Sequence, residues 1–159
     1  MDQEIVQEFC SESRVLLREL GVLLEELELA PENFKALESF GQKIDRIMGA
    51  AKSLEFHQMG LVSELCKTLS YKTAQNKNSD LAIIVIAFFF EAVEIFNEMI
   101  ANLEQNKSAE LEPRKINPTI ARLEFISGRL LHIQRASVAI NDKDLLDLSD
   151  TFNKLNKSK

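Results

Sequence analysis

The sequence predicts an all-α protein: an up-and-down four-helix bundle with one or two additional C-terminal helices. Apolar residues recur every three to four positions along most of the chain, the period of a helix with one buried face. Proline and glycine are scarce, three and five among 159 residues, so breaks are few. Tryptophan is absent, and no regular strand-and-turn spacing is visible. At this length and 45% apolar content the chain can bury one core but hardly two, so 1–159 reads as one domain. Within it, 1–106 form the bundle core, 117–136 a fifth helix and 142–156 a short C-terminal helix.

A first helix is predicted from about Gln3 to Leu29, because Ile5, Phe9, Leu16, Leu20, Leu23, Leu24 and Leu27 fall on one stripe and Ala30-Pro31 ends it. A second starts near Glu32 and carries the seam Leu37, Phe40, Ile44, Ile47, Ala51 and Leu54, alternating steps of three and four as in a bundle helix. The pattern breaks around Glu55 to Gly60. A third helix with Leu61, Leu65 and Leu69 then runs to the polar stretch 75–78, read as a loop. Asn78 or Ser79 can cap a fourth helix, about Asp80 to Asn106, which is apolar over too wide an arc for a surface helix and is expected to be the most buried element. After a polar linker from Lys107 to Lys115, Asn117-Pro118 reads as an N-cap followed by a first-turn proline, so the fifth helix is predicted to start there and reach about Arg135. Asn141 or Asp142 can cap the short sixth helix with Leu145, Leu148, Phe152 and Leu155.

Charge narrows the function classes. Residues 1–60 hold six basic against twelve acidic side chains, 61–110 four against seven, 111–137 five against two and 138–159 four of each, for a total of −6. Net acidity argues against nucleic acid as the main partner. Cys10 and Cys66 stand alone, without metal-ligand or disulfide spacing, and read as small apolar helix residues. The start Met1-Asp2-Gln3-Glu4 is acidic and no apolar signal region follows, so a cytoplasmic protein is expected. Leu81 to Ile100 is the most apolar stretch, but its uncharged run stops at Phe90, with Glu91, Glu94 and Glu98 beyond, so a helix buried in protein is expected instead of a membrane span.

The second helix carries the constellation of interest: Gly41, Gln42, Asp45, Arg46, Met48, Gly49 and Lys52. Gly41 and Gly49 lie one turn before and one turn after Asp45. Each interior glycine costs a helix about 1 kcal/mol relative to alanine, so two so placed suggest close approach to the backbone, either by a partner or by a neighbouring helix of the same bundle. The stretch from Ile44 to Phe56 resembles the central motif of histidine phosphotransfer (Hpt) domains, especially those at the N-terminus of chemotaxis histidine kinases. Gly49, Ala50, Ala51 and Phe56 match that motif, and the helix order over residues 3–136 matches its five-helix layout. Three positions depart from it. Asp45 takes the place of the phosphoacceptor histidine, Met48 that of the lysine and Glu55 that of the later glycine. Phosphoryl relay needs a neutral imidazole nucleophile with positive charge nearby, and an aspartyl phosphate forms beside a Mg²⁺ site with further carboxylates, so the resemblance implies a degenerate Hpt-like domain that does not accept phosphate.

Other signals are weaker. His57 lies 12 residues beyond Asp45, roughly 18 Å along a continuous helix, and His132 is on the fifth helix; neither has companions for zinc. Glu94-x-x-Asn97 has the spacing of a response-regulator phosphatase motif, on a helix whose phenylalanines should face the core. Gln42 and Asp45, at i and i+3, offer another phosphatase geometry. Arg114, Lys115, Arg122, Arg129 and Arg135 form a basic strip, either a solvated face or a binding surface for an acidic partner or a second copy. The sequence therefore predicts a non-enzymatic adaptor without cofactor or metal, docking a receiver domain or signalling kinase through residues 41–52. A homodimeric scaffold and a receiver phosphatase are the alternatives.

Overall fold

The structure, a computed structural model, describes residues 2–135 and 150–155. Five helices follow one another as α1 (Gln3–Leu29), α2 (Phe34–Ser53), α3 (His57–Asn76), α4 (Ser79–Glu104) and α5 (Pro113–Arg135), and residues 150–155 are also helical. No strand occurs among the described residues, so the predicted all-α class holds.

Caps fix the starts. Asp2, Asn33 and Asn78 each accept a backbone N–H from the first turn of α1, α2 and α4, at 2.9, 3.1 and 3.1 Å. At the end of α2 the N–H of Phe56 bonds Ala51 O and that of Glu55 bonds Lys52 O, while Glu55 takes φ 60°. This is a Schellman stop with a glutamate at the left-handed position. Asn106 closes α4 in the same way, its φ 60° accompanied by bonds from Lys107 N to Asn102 O and Asn106 N to Leu103 O.

The helices stand at the corners of a square. Adjacent packing joins α1 to α2, α2 to α3, α3 to α4 and α4 back to α1, leaving α1 diagonal to α3 and α2 diagonal to α4. The diagonal is bridged at the centre by Phe40 and Phe89, fully buried and stacked with ring centroids 4.4 Å apart. α4 supplies the largest share of the core, from Leu81 to Leu103. α5 lies along the α3–α4 edge. Phe152 packs on Phe88 of α4, with ring centroids 5.0 Å apart, so helix 150–155 rests on its own bundle.

Two expectations need correction. α5 begins at Pro113, with Glu112 O receiving the N–H groups of Lys115 and Ile116, so the first-turn proline is Pro113 and Pro118 lies inside the helix. The linker before it is anchored: Ala109 and Leu111 are buried, and the Gln58 amide both donates to Leu111 O (3.0 Å) and accepts from Leu111 N (2.7 Å). The third helix begins at His57, four residues early, runs two residues into the stretch expected as a loop so that only Lys77 and Asn78 form the turn, and buries Val62, Cys66, Leu69 and Thr73, while Leu61 is 39% exposed. Packed against α2, α4 and α5, it buries small and polar residues over a wide arc, which weakens any apolar stripe. The expected cap at Asn141 or Asp142, with Leu145 and Leu148, lies outside the described residues.

Candidate functional site

The buried seam of α2, Leu37, Phe40, Ile44, Ile47 and Ala51, turns the opposite side of the helix to solvent. Gln42, Arg46, Gly49 and Lys52 are exposed there and Asp45 is half-exposed. The two glycines flanking Asp45 prove unlike. A Cβ on Gly41 would stand 2.1 Å from Ser70 Oγ and 3.3 Å from the Tyr71 ring, so Gly41 is buried beneath α3 and serves packing within the bundle. This removes it from the predicted partner surface. A Cβ on Gly49 would meet nothing within 4 Å. Met48 is half-buried.

Asp45 is not a bare carboxylate. Lys67 of α3 donates to it at 2.8 Å, and this hydrogen bond with the adjacent negative charge raises the Lys67 ammonium above its ordinary pKa. Two turns on, the aliphatic stem of Lys52 covers Gly60, and its ammonium reaches Glu64 at 3.3 Å. On the other flank Lys43 bonds Glu19 of α1 at 2.8 Å, which holds the Glu19 carboxyl below its usual value. The exposed face thus consists of a bare glycine backbone, Gln42 and Arg46, bordered by charge pairs that cross to α3 and α1. Sequence reading missed Lys67, 22 positions away, because it stands outside the motif.

The remaining predicted features fall elsewhere. Asn97 accepts from Arg14 of α1 (3.0 Å) and donates to Val93 O, while Glu94 lines a cleft with Glu98, Lys115 and Thr119 on the α5 side, so the two do not converge on a water. The basic strip dissolves at its centre: Arg122 is buried and makes a bidentate pair with Glu91 of α4, which also accepts from the Thr119 hydroxyl at 2.7 Å. Lys115 pairs with Glu98 and Arg114 with Glu112. His57 is the exposed first residue of α3; the side chains of His132 and Arg135 lie outside the described residues. Both cysteines are buried, and burial pushes both thiols up. Among the described residues no cluster of three or more His, Cys, Asp or Glu side chains could hold a metal ion, and no helix is long and apolar enough to cross a membrane. No protein-family model matches the chain, and neither a curated protein nor a solved structure matches it.

Proposed function

We propose that this protein is a docking module of pseudo-phosphotransfer type, working in the cytoplasm, whose α2 face recognises a response-regulator receiver domain or a signalling kinase and accepts no phosphate. The observation that carries the reading is Gly49. A glycine in a helix interior costs about 1 kcal/mol, and at Gly49 no side chain of the bundle uses the space it leaves. A partner's backbone or helix can approach there as no Cβ would permit. Around it Gln42, Arg46 and Lys52 supply polar contacts at the rim, and half-buried Met48 an adaptable apolar one.

Asp45 sits at the position the resemblance gives to the phosphoacceptor. A carboxylate held by an ammonium has no imidazole nitrogen to offer, so transfer has no nucleophile. The same ion pair makes the site close to neutral, so it does not act as a lone negative charge imitating phosphohistidine. A partner exchanges one member of the pair instead: its cation takes Asp45 or its carboxylate takes Lys67.

Affinity capture from the source cell tests this reading. The wild-type chain is expected to retain receiver-containing proteins, while Gly49→Trp and Asp45→Lys lose them with the helical circular dichroism unchanged. Equal capture by Gly49→Trp, or transfer of radiolabelled phosphate from a receiver onto the chain, refutes it.

A further inference from the structure

On the wall opposite the α2–α3 face, α1 and α4 leave a cleft of ≈ 220 Å³ near the end where α1 finishes and α4 starts. Leu27 and Pro31 line one side, and Ile83, Ala87 and Phe90 the other. Spaced four and three apart, those three form a single stripe, and Ile83 is 53% exposed. Gly21, two turns after the α4-facing Arg14 and hence on the same side of α1, has open space where a Cβ would stand.

The rim is acidic. Glu28 lines the cleft, Glu25 precedes it by one turn, Glu32 follows Pro31, and Asp80 stands one turn before Ile83, all exposed. None of the four has an ion-pair partner among the described residues, although Lys35 and Lys77 stand at the same end of the bundle. α1 also ends without a basic residue in its last turn, where carboxylates face the negative pole of the helix. This arrangement repels itself and is relieved by an incoming cation. The cleft is smaller than the roughly 300–1,000 Å³ of small-molecule sites, and its shape is a stripe, the form that accepts side-chain anchors of a helix.

We propose that the α1–α4 cleft docks a basic amphipathic helix of another protein, with aliphatic anchors at i, i+4 and i+7 in the apolar stripe and flanking Lys or Arg on Glu25, Glu28 and Asp80. The inference is independent of the α2 face. Fluorescence anisotropy with a labelled 18-residue Leu/Lys peptide of helical pattern, against a peptide of the same composition in permuted order, tests it on the full chain (about five turns of helix). The patterned peptide is expected to bind at least ~10-fold more tightly. Ile83→Asp and Ala87→Arg, both at exposed positions, should each weaken it ~10-fold, the first despite adding a negative charge. Glu25→Lys/Glu28→Lys should weaken it and flatten its salt dependence. Equal affinity for both peptides, or Ile83→Asp binding as well as wild type, overturns the proposal in favour of diffuse charge attraction. A homodimer in sedimentation that Ile83→Asp dissociates overturns it in favour of a second copy.

Discussion

Removing the Glu91 carboxylate strips a buried guanidinium of its counter-ion, and the arrangement allows the cost to be worked out. The Arg122 side chain is 3% exposed, so water cannot replace the lost partner, and burial already holds its pKa below the ordinary value. Arginine does not discharge at neutral pH, so Glu91→Ala leaves a buried cation and a Thr119 hydroxyl without their acceptor. Breaking a buried pair from one side costs about 3–5 kcal/mol, and the lower end applies because Glu91, 26% exposed, opens a path for water. At about 2–4 °C per kcal/mol for a chain of this size, the melting temperature should fall by roughly 6–12 °C. Arg122→Met should cost only about 1–2 kcal/mol, since the partly wetted carboxylate keeps the Thr119 donor and an apolar side chain fills the buried site. Glu91→Leu/Arg122→Met should cost about 1–2 kcal/mol, less than Glu91→Ala alone, because no buried charge is left unpaired and only the buried Thr119 hydroxyl loses its acceptor. Urea unfolding followed by circular dichroism measures all three. If Arg122→Met proves the more damaging single change, or the double variant shows the sum of both losses, desolvation of Arg122 is not what sets the energy of this contact.

Three further outcomes are expected. Gly41→Ala should destabilise by about 1–2 kcal/mol, because the new methyl displaces Ser70 Oγ and its bond to Leu37 O, whereas Gly49→Ala should stabilise by about 0.5–1 kcal/mol; equal effects in chemical denaturation would contradict the packing difference. Glu55→Gly should raise stability by about 0.5–1 kcal/mol, since φ 60° strains any residue with a Cβ, and an unchanged melting temperature would count against it. The Arg14 hydrogen bond holds the Glu104 carboxyl below its usual range, so this contact is fully stabilising above the unfolded carboxyl pKa of about 4.3 and is lost as pH falls through the lower folded value; Glu104→Gln should flatten that part of the acid stability profile, by less than about 1 kcal/mol because both groups are partly exposed.

How much could be read without coordinates depended on where each signal arises. α1 and the seam of α2 were legible because long apolar stripes and local caps report one dominant buried face. α3 was not, since a helix packed on three neighbours buries serine, threonine and glycine, which a stripe search ignores. The start of α5 was misplaced because Pro113 and Pro118 both satisfy first-turn rules, and only the buried Ala109 and Leu111 decide between them. At the candidate site, periodicity placed Asp45 and Gly49 on the outer side of α2 but could not tell which glycine lay under a neighbour. That depends on Ser70 and Tyr71, 29 and 30 positions away. The same limit hid Lys67 and turned Arg122 from an expected surface cation into a buried one.

The square arrangement of helices has a geometric consequence. A protein seated on α2 and a helix lodged between α1 and α4 would stand on opposite walls, separated by the two helix layers, whose axes lie about 8–10 Å apart. Neither occupant would block the other, so the bundle has the dimensions of a short rigid spacer able to hold two macromolecules at a fixed separation.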